Sequence, residues 1–202
     1  MVEAYLRRSP LTHRALLAKA VDGIGDAELG LGERAHRMQL NLRGDSGNPA
    51  FINGVKAAIG RDIPVQANRF TTSGDRASLW LGPDEWLIVG PDGQGADLVT
   101  ELRGVLAGQH AAVTDVSEAR TSILVQGPRA RDLLQKGVPL DLHPREFQTG
   151  HCAQSHIAGA NVILRQLDDA PSYEVLVLNS FAEHLWLWME SAAREYRTVV
   201  LA

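Results

Sequence analysis

The chain has 202 residues, 45% hydrophobic and 22% charged, with a formal net charge of −4 from 20 Lys and Arg against 24 Asp and Glu. That length suits one large domain or two small subdomains, and the composition excludes a mainly disordered chain. The acidic balance counts against nucleic-acid binding, and the single cysteine, Cys152, excludes an internal disulfide and any multi-cysteine metal site.

The opening MVEAYLRRSP has no apolar core of the signal-peptide kind, and no run approaches the ~20 apolar residues of a spanning helix. The expectation is a soluble cytoplasmic protein with no membrane partner. Residues 1–32 read as an irregular N-terminal arm. Its best basic patch is Tyr5–Arg14, and Arg7–Arg14 is a candidate arm for docking on a partner, with a frayed terminus as the plain alternative. His13–Val21 is expected as a short helix and Asp22–Glu33 (DGIGDAELGLGE) as a glycine-rich loop.

Arg37–Gly44 alternates Met38, Leu40 and Leu42 with Gln39, Asn41 and Arg43, the period of a half-buried strand. Pro49 marks a helix start and Gly60 a stop, with Phe51, Ile52, Val55, Ala58 and Ile59 near helical spacing. Ile63–Thr71, Ala77–Gly82 and Glu85–Gly90 read as strands, the last two as a hairpin about Gly82-Pro83-Asp84. Ala96–Gly108 reads as a helix with Leu98, Leu102, Val105 and Leu106 on one face.

The second half repeats this order. Thr121–Gly127 is a strand, Pro128–Lys136 a helix, and His151–Ile157, Asn161–Leu167 and Tyr173–Asn179 are strands. Ser180–Tyr196 is a long helix with Ser180 as N-cap and Glu183 at the capping-box position, and Arg197–Ala202 closes as a short strand. Gly44 and Gly127 are 83 residues apart (127 − 44), and Trp86 and Tyr173 are 87 apart (173 − 86), which points to an internal duplication. The expected fold class is α+β: two packed β/α subdomains from a duplication, mostly antiparallel. Residues 33–110 form the first half-repeat and 111–202 the second, in one compact unit overall.

The chemical motifs are weak when read singly. QGPRARDLL (Gln126–Leu134) follows a strand and opens a helix, but it lacks the glycines and lysine of a phosphate loop, and Pro128 removes a donor. Arg129 and Arg131 remain as anion attractors or a solvated face. Asp84 and Glu85 are adjacent, so on a strand they point apart, and they read as turn residues rather than an acid/base pair. His13, His36, His110, His143, His151, His156 and His184 show no metal-ligand spacing. Cys152 beside His151 reads as a buried structural thiol. Trp186 and Trp188 point about 200° apart on a helix, so core packing and a partner surface are both open for the second indole.

Asp115–Gly137 (DVSEARTSILVQGPRARDLLQKG) resembles the signature of the folate-binding aminomethyltransferase superfamily, the T-protein group. Arg8–Arg14, Gln39–Gly44, Leu79–Gly90, Asp115–Ser155 and Tyr173–Met189 together resemble the gamma-subunit family of heterotetrameric sarcosine oxidase across nearly the whole chain. The resemblance implies a T-protein-like fold and partnership with alpha, beta and delta subunits. It implies an oxidoreductase acting on a CH–NH bond with oxygen as acceptor. Sarcosine becomes glycine with hydrogen peroxide, and formaldehyde or, with tetrahydrofolate, 5,10-methylenetetrahydrofolate is the other product. FAD, covalently attached FMN, NAD and tetrahydrofolate are expected in the partner subunits.

The superfamily's folate users carry Gly-Gly-x-x-Asp-Asp, whose first Asp acts in methylene transfer. The corresponding HIAGANVILRQ (His156–Gln166) has Gly159, Ala160 and Asn161 and no acidic residue, while Asp168 and Asp169 come later. An amide cannot replace a carboxylate that must take a proton or balance a cation. No catalytic, cofactor-binding or metal residue is assigned to this chain, and alone it is expected to be inactive. A standalone folate-binding or methylene-transfer protein is the alternative reading, and an assembly adaptor the third.

Overall fold

A computed structural model describes residues 6–202, so Tyr5 of the basic patch and the rest of residues 1–5 lie outside the described residues. After single 3-10 turns at Thr12–Arg14 and Leu16–Lys19 come β1 (Ala20–Val21), β2 (Leu29–Arg34) and β3 (Met38–Arg43). Next are α1 (Pro49–Ile59), β4 (Phe70–Ser73), β5 (Arg76–Gly82), β6 (Glu85–Gly90), α2 (Gly95–Val105) and β7 (Ala112–Asp115). The second half holds β8 (Arg120–Gln126), α3 (Ala130–Gln135), β9 (Cys152–Ile157), β10 (Ala160–Asp168), β11 (Ser172–Leu178), α4 (Asn179–Ala192) and β12 (Thr198–Leu201).

Contacts group these elements into two units. One holds the chain up to Ala35, Ala119–Thr149 and Ser155–Ala202; the other holds His36–Glu118 and Gly150–Gln154. The second of these carries a five-stranded antiparallel sheet in the order β4-β5-β6-β3-β7. The period-two pattern of β3 puts Met38, Leu40 and Leu42 into the core. Helix α1 starts where the Asn48 side chain accepts from the Ala50 N–H and Pro49 takes the first helical position. It stops where Gly60 turns left-handed at φ 79°. Phe51, Val55 and Ile59 of α1 pack with Leu98 and Leu102 of α2 over the sheet. Trp86 lies 5.7 Å from Phe51 and donates its indole N–H to Pro64 O at 2.7 Å. Val105, expected on the buried face of α2, sits in its last turn at the edge of the apolar stripe and is exposed.

The other unit carries a seven-stranded sheet, ordered β1-β12-β2-β8-β11-β10-β9, in which β12 runs parallel to β1 and β2 and the pairs β2–β8, β8–β11 and β11–β10 are antiparallel. Helix α4 packs on β8, β10 and β11, burying Ala182, Leu185, Trp186 and Met189. Each such large apolar side chain contributes about 1.5–3 kcal/mol on burial.

The duplication is visible in the topology. β3-α1-β4-β5-β6-α2-β7 and β8-α3-β9-β10-β11-α4-β12 have the same element order. The strand orders β4-β5-β6-β3-β7 and β9-β10-β11-β8-β2-β12 match once β2 is removed from the second. Trp86 and Tyr173 are each the second residue of the equivalent strands β6 and β11, and both are fully buried.

The inserted strand β2 corrects the expectation of a loop at Asp22–Glu33. Its glycines mark close approach rather than disorder. A Cβ on Gly30 would stand 2.7 Å from the Leu201 side chain, and one on Gly32 would stand 2.9 Å from Leu201 O. Three further expectations differ, and one strand was not anticipated. His13–Val21 is not one helix but two 3-10 turns separated at Ala15, whose φ is 50°. Ile63–Thr71 enters the sheet only from Phe70. Ala112–Asp115, too short to show a period, is strand β7. Helix α4 begins at Asn179 with Leu178 at its N-cap, so Ser180 lies inside the first turn and no side-chain cap forms.

Two glycine substitutions should separate packing from propensity. Gly32→Ala forces a methyl against the β12 backbone and is expected to cost about 1–3 kcal/mol. Gly104→Ala, on α2 with open space around it, is expected to be neutral or to add up to about 1 kcal/mol. Urea denaturation midpoints read both; equal shifts would show that β2 and β12 are not in close contact.

Candidate functional site

The first backbone donors of the turn at Gly127-Pro128 are engaged within the chain. Gly127 has φ 114°, and a Cβ there would meet Glu28 O at 2.7 Å. Its N–H donates to Pro171 O at 3.1 Å, the Arg129 N–H to Glu28 O at 3.1 Å, and the Ala130 N–H to Gly127 O at 2.9 Å. The Arg129 guanidinium is held by Asp132 at 2.8 Å and Glu28 at 3.8 Å. The turn is architecture that locks α3 to the segment before β2.

Asp84 and Glu85 converge on one cation. Arg43 reaches Asp84 at 2.8 Å and Glu85 at 3.0 Å, and Asn41 Nδ2 donates to Glu85 at 2.7 Å. Both carboxylates clamp the β5–β6 hairpin to β3. Cys152 is fully buried, with its thiol directed at Arg69 O, 3.2 Å away. His156 is exposed. Among the described residues no group of three or more His, Cys, Asp or Glu is placed to hold a metal ion.

The place where the superfamily resemblance expects a folate-contacting carboxylate is a two-residue hairpin turn, Ala158-Gly159, with φ values of 50° and 83°. These are the signs of a type I′ turn. His184 Nε2 lies 2.9 Å from Ala158 O. Asn161 then projects outward as an exposed amide. Asp168 and Asp169 are at the far end of β10, tied into the β10–β11 turn. Asp168 accepts from the Ala170 N–H at 2.9 Å, and Asp169 from the Thr149 hydroxyl at 2.8 Å. The residues here do not fit a folate site of that kind, and no transfer step is assigned to them.

One polar cluster went unread in the sequence. Glu174, fully buried on β11, receives Arg165 Nε at 2.6 Å and the Ser122 hydroxyl at 2.7 Å, with Arg34 NH1 at 3.8 Å. Burial pushes the Glu174 carboxyl up, but Arg165, Ser122 and Arg34 together outweigh it and hold the group below its ordinary value. A carboxylate so held is a structural anion, not a proton carrier. Its signal was present: with the β10–β11 hairpin in register, Arg165 stands directly opposite Glu174.

The tryptophans divide evenly: Trp86 and Trp186 are buried, Trp80 and Trp188 half-buried. The Arg7–Arg14 arm makes contacts within its own unit. His13 lies 2.8 Å from Glu183 and Arg14 lies 2.5 Å from Glu190, two turns apart on α4. Ser9 donates to Glu33 at 2.6 Å and Leu11 is buried. The described part of the arm is fastened to its own unit.

Comparison with known proteins places these features. Residues 43–195 match the model of the sarcosine oxidase, gamma subunit family. The sarcosine oxidase subunit gamma of Corynebacterium sp. (strain U-96) is 34% identical over 200 residues, covering 98% of this chain and 95% of that one. A chain in the solved structure of heterotetrameric sarcosine oxidase from Corynebacterium sp. U-96, in complex with pyrrole 2-carboxylate, superposes with a TM-score of 0.83 at 32% identity over 98% of this chain and 100% of that chain. Glycine cleavage system aminomethyltransferase T from Bartonella henselae shares the fold, with a TM-score of 0.70 at 15% identity over 97% of this chain and 59% of that one.

Glu174→Gln leaves Arg165 buried without its counter-charge and is expected to destabilise the chain by about 3–5 kcal/mol near neutral pH. Because the folded-state pKa of Glu174 is depressed, its stabilisation is present above the ordinary carboxyl value of about 4.3 and is lost as pH falls through the folded value. Urea unfolding across that range should show a shallower acid loss in Glu174→Gln than in the parent; identical pH profiles would show that the cluster carries no linkage.

Proposed function

Because the chain belongs to the sarcosine oxidase gamma subunit family, we propose that it is a small, non-catalytic structural subunit of a heterotetrameric sarcosine oxidase. The observation that carries this reading is the end-to-end match, 98% of this chain against 100% of a chain in such an oxidase, with a TM-score of 0.83. The complex oxidatively demethylates sarcosine to glycine with hydrogen peroxide and formaldehyde or 5,10-methylenetetrahydrofolate. Alpha, beta and delta subunits are the partners, FAD, FMN, NAD and tetrahydrofolate belong to them, and the assembly is cytoplasmic.

The local chemistry supports a structural role. Oxidation of an amine is the work of a flavin, to which a protein adds orientation and environment. Here the turn that resembles a phosphate cradle has its backbone donors engaged, and the hairpin that resembles a folate site offers an amide. What the surface does offer is apolar: Phe181 and Leu187 on α4 are exposed, and Leu178 precedes them at the end of β11. Such positions suit burial against an obligate partner. No helix among the described residues is long and apolar enough to cross a membrane.

Purified by itself, the chain is expected to show no flavin absorbance and no sarcosine turnover, and to bind no tetrahydrofolate in calorimetry. Co-expressed with alpha, beta and delta subunits, it should elute with them as one flavin-containing species. A flavin spectrum on the isolated chain, saturable folate binding, or elution apart from the other three would overturn the proposal.

A further inference from the structure

The two half-repeats differ at one sheet edge. β7 and β12 are equivalent, each the last strand of its repeat, after the repeat's last helix. The outer edge of β12 is covered. Strand β1, which comes from outside the repeat, pairs with it in parallel, Ala20 opposite Val200 and Val21 opposite Leu201, and the Ala202 N–H donates to Val21 O at 3.3 Å. The outer edge of β7 carries no strand: β7 ends the order β4-β5-β6-β3-β7.

The backbone of β7 is set for such a neighbour. Val113 stands opposite Leu42 and Thr114 opposite Asn41 of β3, and beyond them the Val116 N–H donates to Gln39 O at 2.9 Å. In an antiparallel ladder, bonded pairs alternate with unbonded ones. Counted from the bonded Val116–Gln39 pair, Thr114 and Ala112 bond to β3, while Val113 and Asp115 turn their N–H and C=O groups to the open edge. One side chain marks that direction: Arg103 of α2 donates to Val113 O at 3.0 Å. The Val113 and Asp115 N–H groups have no backbone partner among the described residues. A groove of about 270 Å³ lies beside this edge within one unit, lined by Arg103, Leu106, Ala111, Ala112 and Val113. An extended peptide adds itself to such an edge through main-chain hydrogen bonds, and a groove beside the strand takes its alternate side chains. The four-residue length of β7 and the exposed Arg103 limit indiscriminate pairing.

We propose that an extended segment of another subunit of the complex pairs with the outer edge of β7, in the place that β1 takes on β12, with an apolar side chain in the Leu106–Val113 groove. The proposal rests on the subunit reading above. Each of the described strands β1 to β12 already has its place in a sheet, so the segment comes from another chain. A second copy is disfavoured, because antiparallel pairing of two β7 edges sets two Arg103 guanidiniums side by side.

The readout is amide hydrogen exchange resolved to single residues by fragmentation mass spectrometry. It compares the isolated chain with the chain co-expressed and purified with alpha, beta and delta subunits. In the isolated chain Val113 and Asp115 are expected to exchange fast, and Thr114, bonded to β3, slowly. In the complex the Val113 amide is expected to slow about tenfold or more, the scale of one added hydrogen bond. A complex in which Val113 exchanges as fast as in the isolated chain overturns the proposal and leaves the subunit reading standing. A chain that elutes apart from the other subunits overturns both. Slowing of Val113 with rising concentration of the isolated chain would assign the edge to a second copy, and that too overturns it.

Discussion

Strand β12 can lie beside β2 because residues 30 and 32 have no side chain. Leu201 occupies the space that a Cβ at either position would need. This close approach is what inserts β2 into a sheet that, apart from the two-residue edge strand β1, would otherwise repeat the five-stranded plan of the other unit. It also sets the surroundings of both ends of the strand. With β2 between β8 and β12, Leu31 faces Val200 in parallel register, and both line an apolar cleft. Glu33, at the other end of the strand, anchors the arm through Ser9 and receives Thr121 from β8. A glycine in a strand weakens it by itself; here the lost local stability is offset by packing that no larger residue would allow.

How far the fold could be read depends on which signals are local. Alternation in Met38–Arg43 and the Asn48, Pro49 and Gly60 punctuation are local, and the β3–α1 boundaries fall where these residues place them. The half-repeat was legible in Trp86 and Tyr173, because the same buried aromatic anchor recurs at the second position of equivalent strands. Strand β2 was not legible. Its identity depends on Leu201, which is distant in sequence, and by composition alone its glycines read as loop. The Ser180 cap failed because the helix starts one residue earlier, at Asn179, where β11 ends at Leu178.

The chemistry divides the same way. Family membership was legible because the resembling segments are spread over nearly the whole chain. The Gly127-Pro128 turn looked like an anion site only while its donors were uncounted. Counting them requires knowing that Glu28 O and Pro171 O lie beside the turn, which is tertiary information. The Arg165–Glu174 pair was within reach of hairpin registration, but its burial was not. A charged residue in an apolar strand reads as an interruption until its neighbours are known. Such buried pairs are a weak source of net stability and are costly to break, so they constrain register more than they strengthen the sheet.

The parallel pairing of β1 and β2 with β12 has a kinetic consequence. Its contacts join residues near 28 to residues near 197, a separation of 169 positions. Chain closure over that length is slow compared with formation of a hairpin such as β10–β11. During synthesis β2 emerges early and can pair with β8, but one of its edges stays open until residues 198–201 have been made. Between the synthesis of β8 and that of β12 the unit therefore presents a glycine-containing strand edge, the kind of surface that recruits chaperones or another chain. The last residues translated in this sheet are the ones that close it.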